Sequence, residues 1–600
     1  MPGYRPPAQT RLGCIVERCQ QTTLTYLVRT FVKARGQLLL ARQKRRARDV
    51  ERVQDEVLRS IVAGYRGTEL GDALGLGEVW SSAAFKERVR INDYERLRPW
   101  IRKQLEQGGM VVSRSEPVAY NVTSGTTGEP KYLPVTRQTL RWTRDAQMLT
   151  AYGLLQSCPG VLDGKILGIV SAPCERYSPR GVPIGSKSGQ VYENVGFALR
   201  SKYVVPPSVF GIDDYVLKYL LVLRLALMHR DVTYIQTANT STLSVIAELM
   251  NEHWDELLSD LAHGGFFRWD ELPAQVQRNV IDILVPFPAR AHELRRIEKE
   301  RSPATPLRLA DIFPALRAVG CWKSGSAGIF LQRAALEFDA TTALRDVGYI
   351  ASELHGTTPV NGDGTDAFPT FENVYFEFVP RKQWDTGERH AEQTFGLHQL
   401  TVGQQYYVLI TTTDGLVRYD MNDILEVTGY YHGLPTLRFV QKGSGVTNLT
   451  GEKLSEHQVV RAVAQLEAEQ QLRSVFYLMV ADERAGRYRL YYEPVSDSRA
   501  QVERFLKSYS GRLDKYIAFG NIEYAQKRQS NRLQCVEICS LQPGTFERFR
   551  QHWVATGRRE GQFKIVALRH RWEAGFPFES FVAATPALHI APRTTSLAVP

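Results

Sequence analysis

Residues 120–131 read YNVTSGTTGEPK, a strand-like start that runs into glycines and hydroxyls and closes on a lysine. Glycine lets backbone N–H groups turn inward and cup phosphate oxygens. The hydroxyls of Ser124, Thr126 and Thr127 add donors around Gly125 and Gly128, and Lys131 adds positive charge. A triphosphate suits such a cradle. The spacing is not GxxxxGK followed by serine or threonine, so a Walker loop is excluded. A plain polar turn also uses these residue types, but a hydroxyl run ending in a lysine favours the cradle.

The loop lies early in a chain of 600 residues, enough for two or three packed units. Hydrophobic residues at 43%, charged at 23% and aromatic at 10% exclude a disordered, collagenous or coiled-coil chain. The net charge of +11 is concentrated in the first fifty residues, from Arg5 to the run Lys44, Arg45, Arg46, with Glu17 almost the sole acid among them. The body is nearly balanced, so composition gives nucleic-acid binding no support. Cysteines 14, 19, 158, 174, 321, 535 and 539 form no CxxC pair, which predicts free thiols and no structural zinc. The most apolar run, Val216 to Met228, is broken by Lys218 and Arg224 and is too short to span a bilayer. With no signal-peptide core at the N-terminus, the expected location is cytoplasmic.

Periodicity organises the rest. Leu24 to Val62 has helical spacing, giving a basic N-terminal arm or helix over 1–53. Strand-like Lys165 to Val170 and Val232 to Gln236 alternate with helical Tyr215 to His229 and a helix through Ile246 and Trp254, the signature of a βα layer. Val374 to Val379, Tyr406 to Thr412 and Ile424 to Val427 predict a β-rich subdomain. The expected fold class is α/β. A large N-terminal domain over 54–432 precedes a smaller, mobile α+β domain over 433–572 and a tail over 573–600.

Further motifs follow the loop. Tyr349-Ile350-Ala351-Ser352-Glu353 has a YxxSE pattern, and Phe376-Glu377-Phe378-Val379-Pro380 follows it. Then come GLVRYDMND over 415–423 and Asn448-Leu449-Thr450-Gly451-Glu452-Lys453-Leu454. The loop over 123–131 resembles the phosphate-binding signature of the adenylate-forming superfamily. With the later motifs the chain resembles the Gretchen Hagen family of acyl acid amido synthetases, in a bacterial-type form. FKERVRINDYERLRPWIR over 85–102, Asn521 to Tyr524, Gly544 to Phe546, and Gln562 with Lys564 extend the resemblance from about residue 54 to 570.

That resemblance implies ATP and Mg²⁺ as cofactors and a ligase that adenylates a carboxylic acid, then passes the acyl group to an amino acid or other amine. Ser124, Gly125, Thr126, Thr127 and Gly128 with Lys131 are then expected on the β and γ phosphates. Tyr349 is expected near adenine, Ser352 near the α-phosphate, Glu353 on Mg²⁺ and Asp423 on the ribose hydroxyls. Gly325, Ser326 and Ala327 are expected to close over adenine and acyl group, and Lys453 and Lys564 to contact phosphate or the acyl carboxylate. A small carboxylic acid and an amine are the implied partners, with no nucleic acid and no membrane span.

The chain departs from the plant pattern YRxGD, for which it has Tyr419-Asp420-Met421-Asn422-Asp423. It also carries Lys442-Gly443-Ser444 where related enzymes have an arginine-containing hinge. The same adenylate could be passed to a thiol, making an acyl-CoA or a loaded carrier protein. A nucleotide-binding regulator without activity is the reading from a different class. His355, two residues past Glu353, is either an aid to deprotonating the amine or an ordinary loop histidine.

Overall fold

The computed structural model describes residues 11–79, 81–123, 130–302, 305–324, 331, 334–359, 367–385, 393–443, 445–470, 472, 474–494, 499–555 and 567–583. The chain divides into two compact units. The first holds most of the chain up to Ser444, and the second runs from Gly445 with only Gln529–Arg532 assigned elsewhere.

Three sheets build the first unit. One has four parallel strands in the order Lys165–Ile169, Val232–Thr237, Ala318–Cys321 and Ala343–Asp346. Its apolar runs are buried, as both faces of a parallel sheet require. The helix Tyr215–Leu227 is buried from Leu217 onwards. Its Arg224 is satisfied by the carbonyls of Gly265, Asp260 and Val285 at 3.1, 3.0 and 3.2 Å. This is the βα layer that the alternation predicts.

A second sheet pairs Ala119–Thr123 antiparallel with Lys131–Val135, and parallel with Pro183–Gly185. The third has six strands, all its pairs antiparallel, and contains the predicted runs as Tyr375–Pro380, Gln405–Thr411 and Tyr419–Tyr431. Its fourth strand, Leu434–Lys442, pairs along Tyr419–Tyr431 from Asp423↔Lys442 to Tyr431↔Leu434. The first unit therefore extends past the expected boundary at 432. A hairpin partner cannot leave its sheet without stranding a row of backbone donors and acceptors.

The N-terminal segment is likewise integral to the first unit. The helix Arg11–Arg46 buries Val28 and Val32 against the layer around Val161, Leu162 and Ile166. A Cβ at Gly36 would strike the Tyr152 ring, so glycine permits the close approach of the helix Arg137–Ser157. Its basic side chains meet acids: Arg29 with Asp163 at 2.8 Å, Arg35 with Asp145 at 3.0 Å, and Arg46 with Glu372 at 2.7 Å. The exposed pairs of Arg29 and Arg35 contribute about 0–1 kcal/mol each, so the apolar face carries much of the docking.

The second unit is a four-stranded sheet in which Ser474–Asp482 and Arg487–Pro494 are antiparallel, flanked by parallel Leu568–His570 and Glu537–Ser540. Helices Glu456–Gln470 and Arg499–Gly520 accompany it. Residues past 572 are not all loose tail, because Ala574 and Phe578 pack with Phe476, Tyr491 and Phe549. Among the described residues, no helix is long and apolar enough to cross a membrane.

Candidate active site

Lys131 begins a strand and lies directly opposite Thr123 in the antiparallel register. The loop between them, with Ser124, Gly125, Thr126, Thr127 and Gly128, falls outside the described residues. The Lys131 ammonium donates to the Tyr419 hydroxyl at 3.2 Å and lies 5.4 Å from the Tyr94 ring centroid and 5.9 Å from that of Tyr419. Two aromatic faces flank the cation. Tyr94 is itself fixed: its hydroxyl donates to the Tyr132 carbonyl at 2.9 Å and accepts from the Tyr132 N–H at 2.6 Å.

The YxxSE segment comes beside this hairpin. The Asn121 amide donates to the Ser352 carbonyl at 2.8 Å, tying the motif to the strand that leads into the loop. Tyr349 is buried, with its N–H on the Thr357 hydroxyl at 2.8 Å and its ring parallel to Phe439 at 6.0 Å. Its hydroxyl donates to Asp423 Oδ2 at 2.5 Å. Burial, then the charge of Asp423, pushes that hydroxyl's pKa well above its ordinary value, so it stays protonated and donating.

Asp423 is 2% exposed and carries a second partner, the Lys442 ammonium at 2.6 Å from Oδ1. Lys442 also donates to the Met421 carbonyl at 3.2 Å. A buried carboxylate needs such partners, because an uncompensated charge in the interior is costly. Two departures from the plant pattern now have a physical reading. Asn422 has φ +50°, a left-handed conformation that glycine adopts freely and asparagine tolerates better than most residues. The Asp420 carboxylate supports it by accepting from the Asn422 N–H at 2.7 Å. Gly443 has no room for a Cβ, which would strike Asn422 and Tyr407.

Arg418, just before this segment, is fully buried with φ +43°. Its guanidinium forks onto Glu377 at 3.0 and 2.7 Å and donates to the Lys86 and Val89 carbonyls. It therefore clamps GLVRYD to FKERVRIN.

Lys187, which carries no motif of its own, interacts electrostatically with Glu353, Asp414 and His355. Lys187 is pushed down to about 7 by burial, against the attraction of Glu353 and Asp414. Asp414 is pushed up to about 6 by burial, against hydroxyls of Thr139, Thr136 and Thr413 and the charge of Lys187. His355 is pushed down to about 3 by burial and Lys187, which leaves its imidazole neutral.

Gly325, Ser326 and Ala327 also lie outside the described residues, but their approach is fixed. Asp346 accepts the Lys323 N–H at 3.0 Å and the Gly348 N–H at 2.7 Å, and the Trp322 N–H meets Ala238 O at 3.0 Å. In the second unit, Lys453 follows a tightly bonded turn. Glu452 accepts from the N–H groups of Leu449 at 2.6 Å and Thr450 at 2.7 Å and from the Tyr488 hydroxyl, and Lys453 has φ +47°. Lys564 is outside the described residues.

The structure thus brings Lys131, Tyr349, Ser352, Glu353 and Asp423 together in the first unit, while Lys453 belongs to the second. Glu353 is a hard-oxygen donor electrostatically close to Tyr349 and Tyr419. Among the described residues, no cluster of three or more His, Cys, Asp or Glu could hold a metal by itself. One carboxylate with phosphates to complete the shell is what Mg²⁺ commonly takes, so the donor set fits that ion.

A large unit precedes a smaller C-terminal one, and the fold is like that of two solved enzymes. A solved acyl acid amido synthetase, GH3.15 in complex with 2,4-DB, aligns over 92% of this chain and 96% of its own with a TM-score of 0.63 at 20% identity. A 2-hydroxyisobutyryl-CoA ligase aligns over 88% and 90% with a TM-score of 0.51 at 14% identity, a likeness of fold.

The chain belongs to the GH3 family. Its N-terminal domain matches residues 39–338, its central domain 368–442 and its C-terminal domain 457–570. Among curated relatives, a probable indole-3-acetic acid-amido synthetase, GH3.12 of Oryza sativa subsp. japonica, is 26% identical over 89% of this chain and 95% of its own. A jasmonoyl–L-amino acid synthetase, JAR6 of Nicotiana attenuata, is 23% identical over 86% and 90%.

Proposed function

We propose that this chain is an ATP-dependent acyl acid amido synthetase. It joins a carboxylic acid to AMP with release of pyrophosphate, then passes the acyl group to an amino acid or other amine with release of AMP. The observation that carries this reading is the meeting of Tyr349 with Asp423 beside Glu353 and Lys131 in one unit of a GH3 chain.

The chemistry follows from why a carboxylate resists amide formation. Its charge repels nucleophiles and oxide is a poor leaving group. Attack of the carboxylate on the α-phosphorus forms a C–O–P anhydride and expels pyrophosphate. Attack of a neutral amine on the carbonyl carbon then forms C–N and breaks C–O, with AMP taking the electron pair. No enzyme nucleophile is required.

Lys131, held between two rings, contacts the triphosphate together with the hydroxyls of Ser124, Thr126 and Thr127. Asp423, oriented by Tyr349 and Lys442, accepts from the ribose hydroxyls. Glu353 holds Mg²⁺, which supplies charge neutralisation on the phosphates when bound. Lys453 and Lys564 contribute from the second unit by binding phosphate or the acyl carboxylate.

The test is incubation of the chain with ATP, Mg²⁺ and a panel of acids, adding either amino acids or CoA. Amino acids should drive AMP release and yield an amide. Thioester without amide would replace this reading by a thiol-accepting ligase, and no AMP or pyrophosphate with any acid would support an inactive regulator.

A further inference from the structure

The N-terminal helix Arg11–Arg46 leaves a row of apolar side chains open to solvent. Leu24, Leu27, Phe31, Ala34, Leu38 and Ala41 recur at alternating steps of three and four, which places them in one stripe along the helix. Leu27 is 57% exposed, Phe31 54% and Leu38 67%, and Ala34 and Ala41 are exposed as well. Only Leu24, at one end, leans on the layer below. The inward face is a different set, Val28, Val32 and Leu39, all buried. The helix is therefore apolar on two sides, and docking on the first unit uses one of them. The other is a ridge roughly 25 Å long.

Charge is distributed unevenly along the same helix. Residues 19–28 carry none, whereas seven basic residues and no acid lie between Arg29 and Arg46. Two copies laid side by side in parallel would set each of these cations against its own image. Laid antiparallel about the middle of the stripe, they bring Leu24 opposite Ala41, Leu27 opposite Leu38 and Phe31 opposite Ala34. Two of the three layers then match a bulky side chain with a small one. In that register Arg35 and Arg42 lie opposite Thr30 and Thr23, and residues 44–46 lie opposite the uncharged 19–21. Like charges are kept apart.

We propose that the chain associates with a second copy of itself through this stripe, as a two-fold antiparallel pair of N-terminal helices centred between Val32 and Lys33. A two-fold contact is self-complementary, so each layer of bulky on small occurs twice. An anionic lipid surface would also accept an apolar ridge on a basic helix. Against it, Arg29, Arg35, Arg42 and Arg46 are already paired with Asp163, Asp145 and Glu372 of their own unit. Nor does a lipid surface call for the match of Phe31 to Ala34 or for an uncharged half-helix. One helix pair is a small interface, below about 1,200 Å², so a weak dimer with Kd on the order of 10 µM is expected. The inference is independent of the amido synthetase reading.

Sedimentation equilibrium of the full chain from about 1 to 100 µM tests the association, and the mass should rise from monomer towards dimer over that range. Phe31→Lys, at an exposed position, should keep the parental Tm and raise Kd more than roughly 100-fold, because the two-fold axis removes two rings at once. Orientation is read by oxidising a mixture of a Leu27→Cys chain with a Leu38→Cys chain. Position 27 of one copy should link to position 38 of the other, and peptide mass spectrometry separates that link from any through Cys14 or Cys19. Either variant alone should form no such link, because like positions stand roughly 16 Å apart along the axis, beyond the reach of a disulfide. A parent that stays monomeric, a Phe31→Lys chain that dimerises as the parent does, or links between like positions would each overturn the proposal. A monomeric parent that sediments with phosphatidylserine vesicles would replace the second copy by a lipid surface.

Discussion

The Tyr349 hydroxyl donates to the Asp423 carboxylate at 2.5 Å across 74 residues of sequence, joining the YxxSE and GLVRYDMND motifs inside one buried bond. Lys442 holds the other carboxylate oxygen at 2.6 Å. Asp423→Asn removes the charge and leaves the largely buried Lys442 without its anion. The expected result is a stability loss of about 2–4 kcal/mol together with loss of ATP binding. Tyr349→Phe frees one oxygen but keeps the ion pair, so it should weaken nucleotide affinity with a much smaller effect on stability. Denaturant titration and calorimetric ATP binding on both variants check this, and equal stability losses in the two would contradict it.

Asn422 sits at φ +50° where the plant pattern has glycine. Asn422→Gly should be neutral within about 0.5–1 kcal/mol, because glycine adopts this conformation without strain. Asn422→Val should cost about 1–3 kcal/mol, since a β-branched residue resists the left-handed region. Thermal unfolding of the pair reads the difference. A valine variant as stable as the glycine one would show that the loop relaxes out of that conformation.

Lys187 is pushed down to about 7 from an ordinary 10.5. Between those values the unfolded chain binds a proton that the folded chain releases, so stability rises with pH across that window. The full penalty stands below about pH 7. Lys187→Met removes it and should raise Tm by roughly 2–4 °C near pH 6.5, with the gain shrinking towards pH 10.5. A gain that does not change over that range would mean the effect is packing rather than charge.

Gly36 is the contact point of the N-terminal helix with Tyr152. Gly36→Leu overpacks that contact and should cost about 1–3 kcal/mol, lifting the helix from the first unit. Limited proteolysis between residues 20 and 50 should become faster. Unchanged protection would show that the basic residues, rather than Val28 and Val32, hold the helix.

Much of this was legible in the sequence because the motifs are local and ordered. Lys131 follows a glycine loop, Glu353 ends YxxSE and Asp423 ends GLVRYDMND, and each carries its context with it. The strands were visible for the same reason, as alternating or continuous apolar runs between turns. The domain boundary was not, because Leu434–Lys442 is assigned by its pairing with Tyr419–Tyr431, and pairing over a hairpin is a tertiary fact. Lys187 and Asp414 were not singled out because neither belongs to a recognised motif. Their perturbation comes from burial and from each other's charge, which depends on segments far apart in the chain. GSKSG over 185–189 did hold one signal, a lysine framed by small residues that only a tight backbone approach requires. Charge composition cannot say which arginines of the N-terminal helix meet acids on another segment, as Arg29, Arg35 and Arg46 do.

The central claim is that Glu353 and Asp423 serve a single nucleotide whose α-phosphorus meets an organic acid. Acid-dependent exchange of labelled pyrophosphate into ATP measures that step alone, before any amine is involved. The account predicts exchange by the parent with at least one acid, and its loss by more than roughly 100-fold in Glu353→Gln and in Asp423→Ala. Exchange that persists at parental rates in either variant would contradict it.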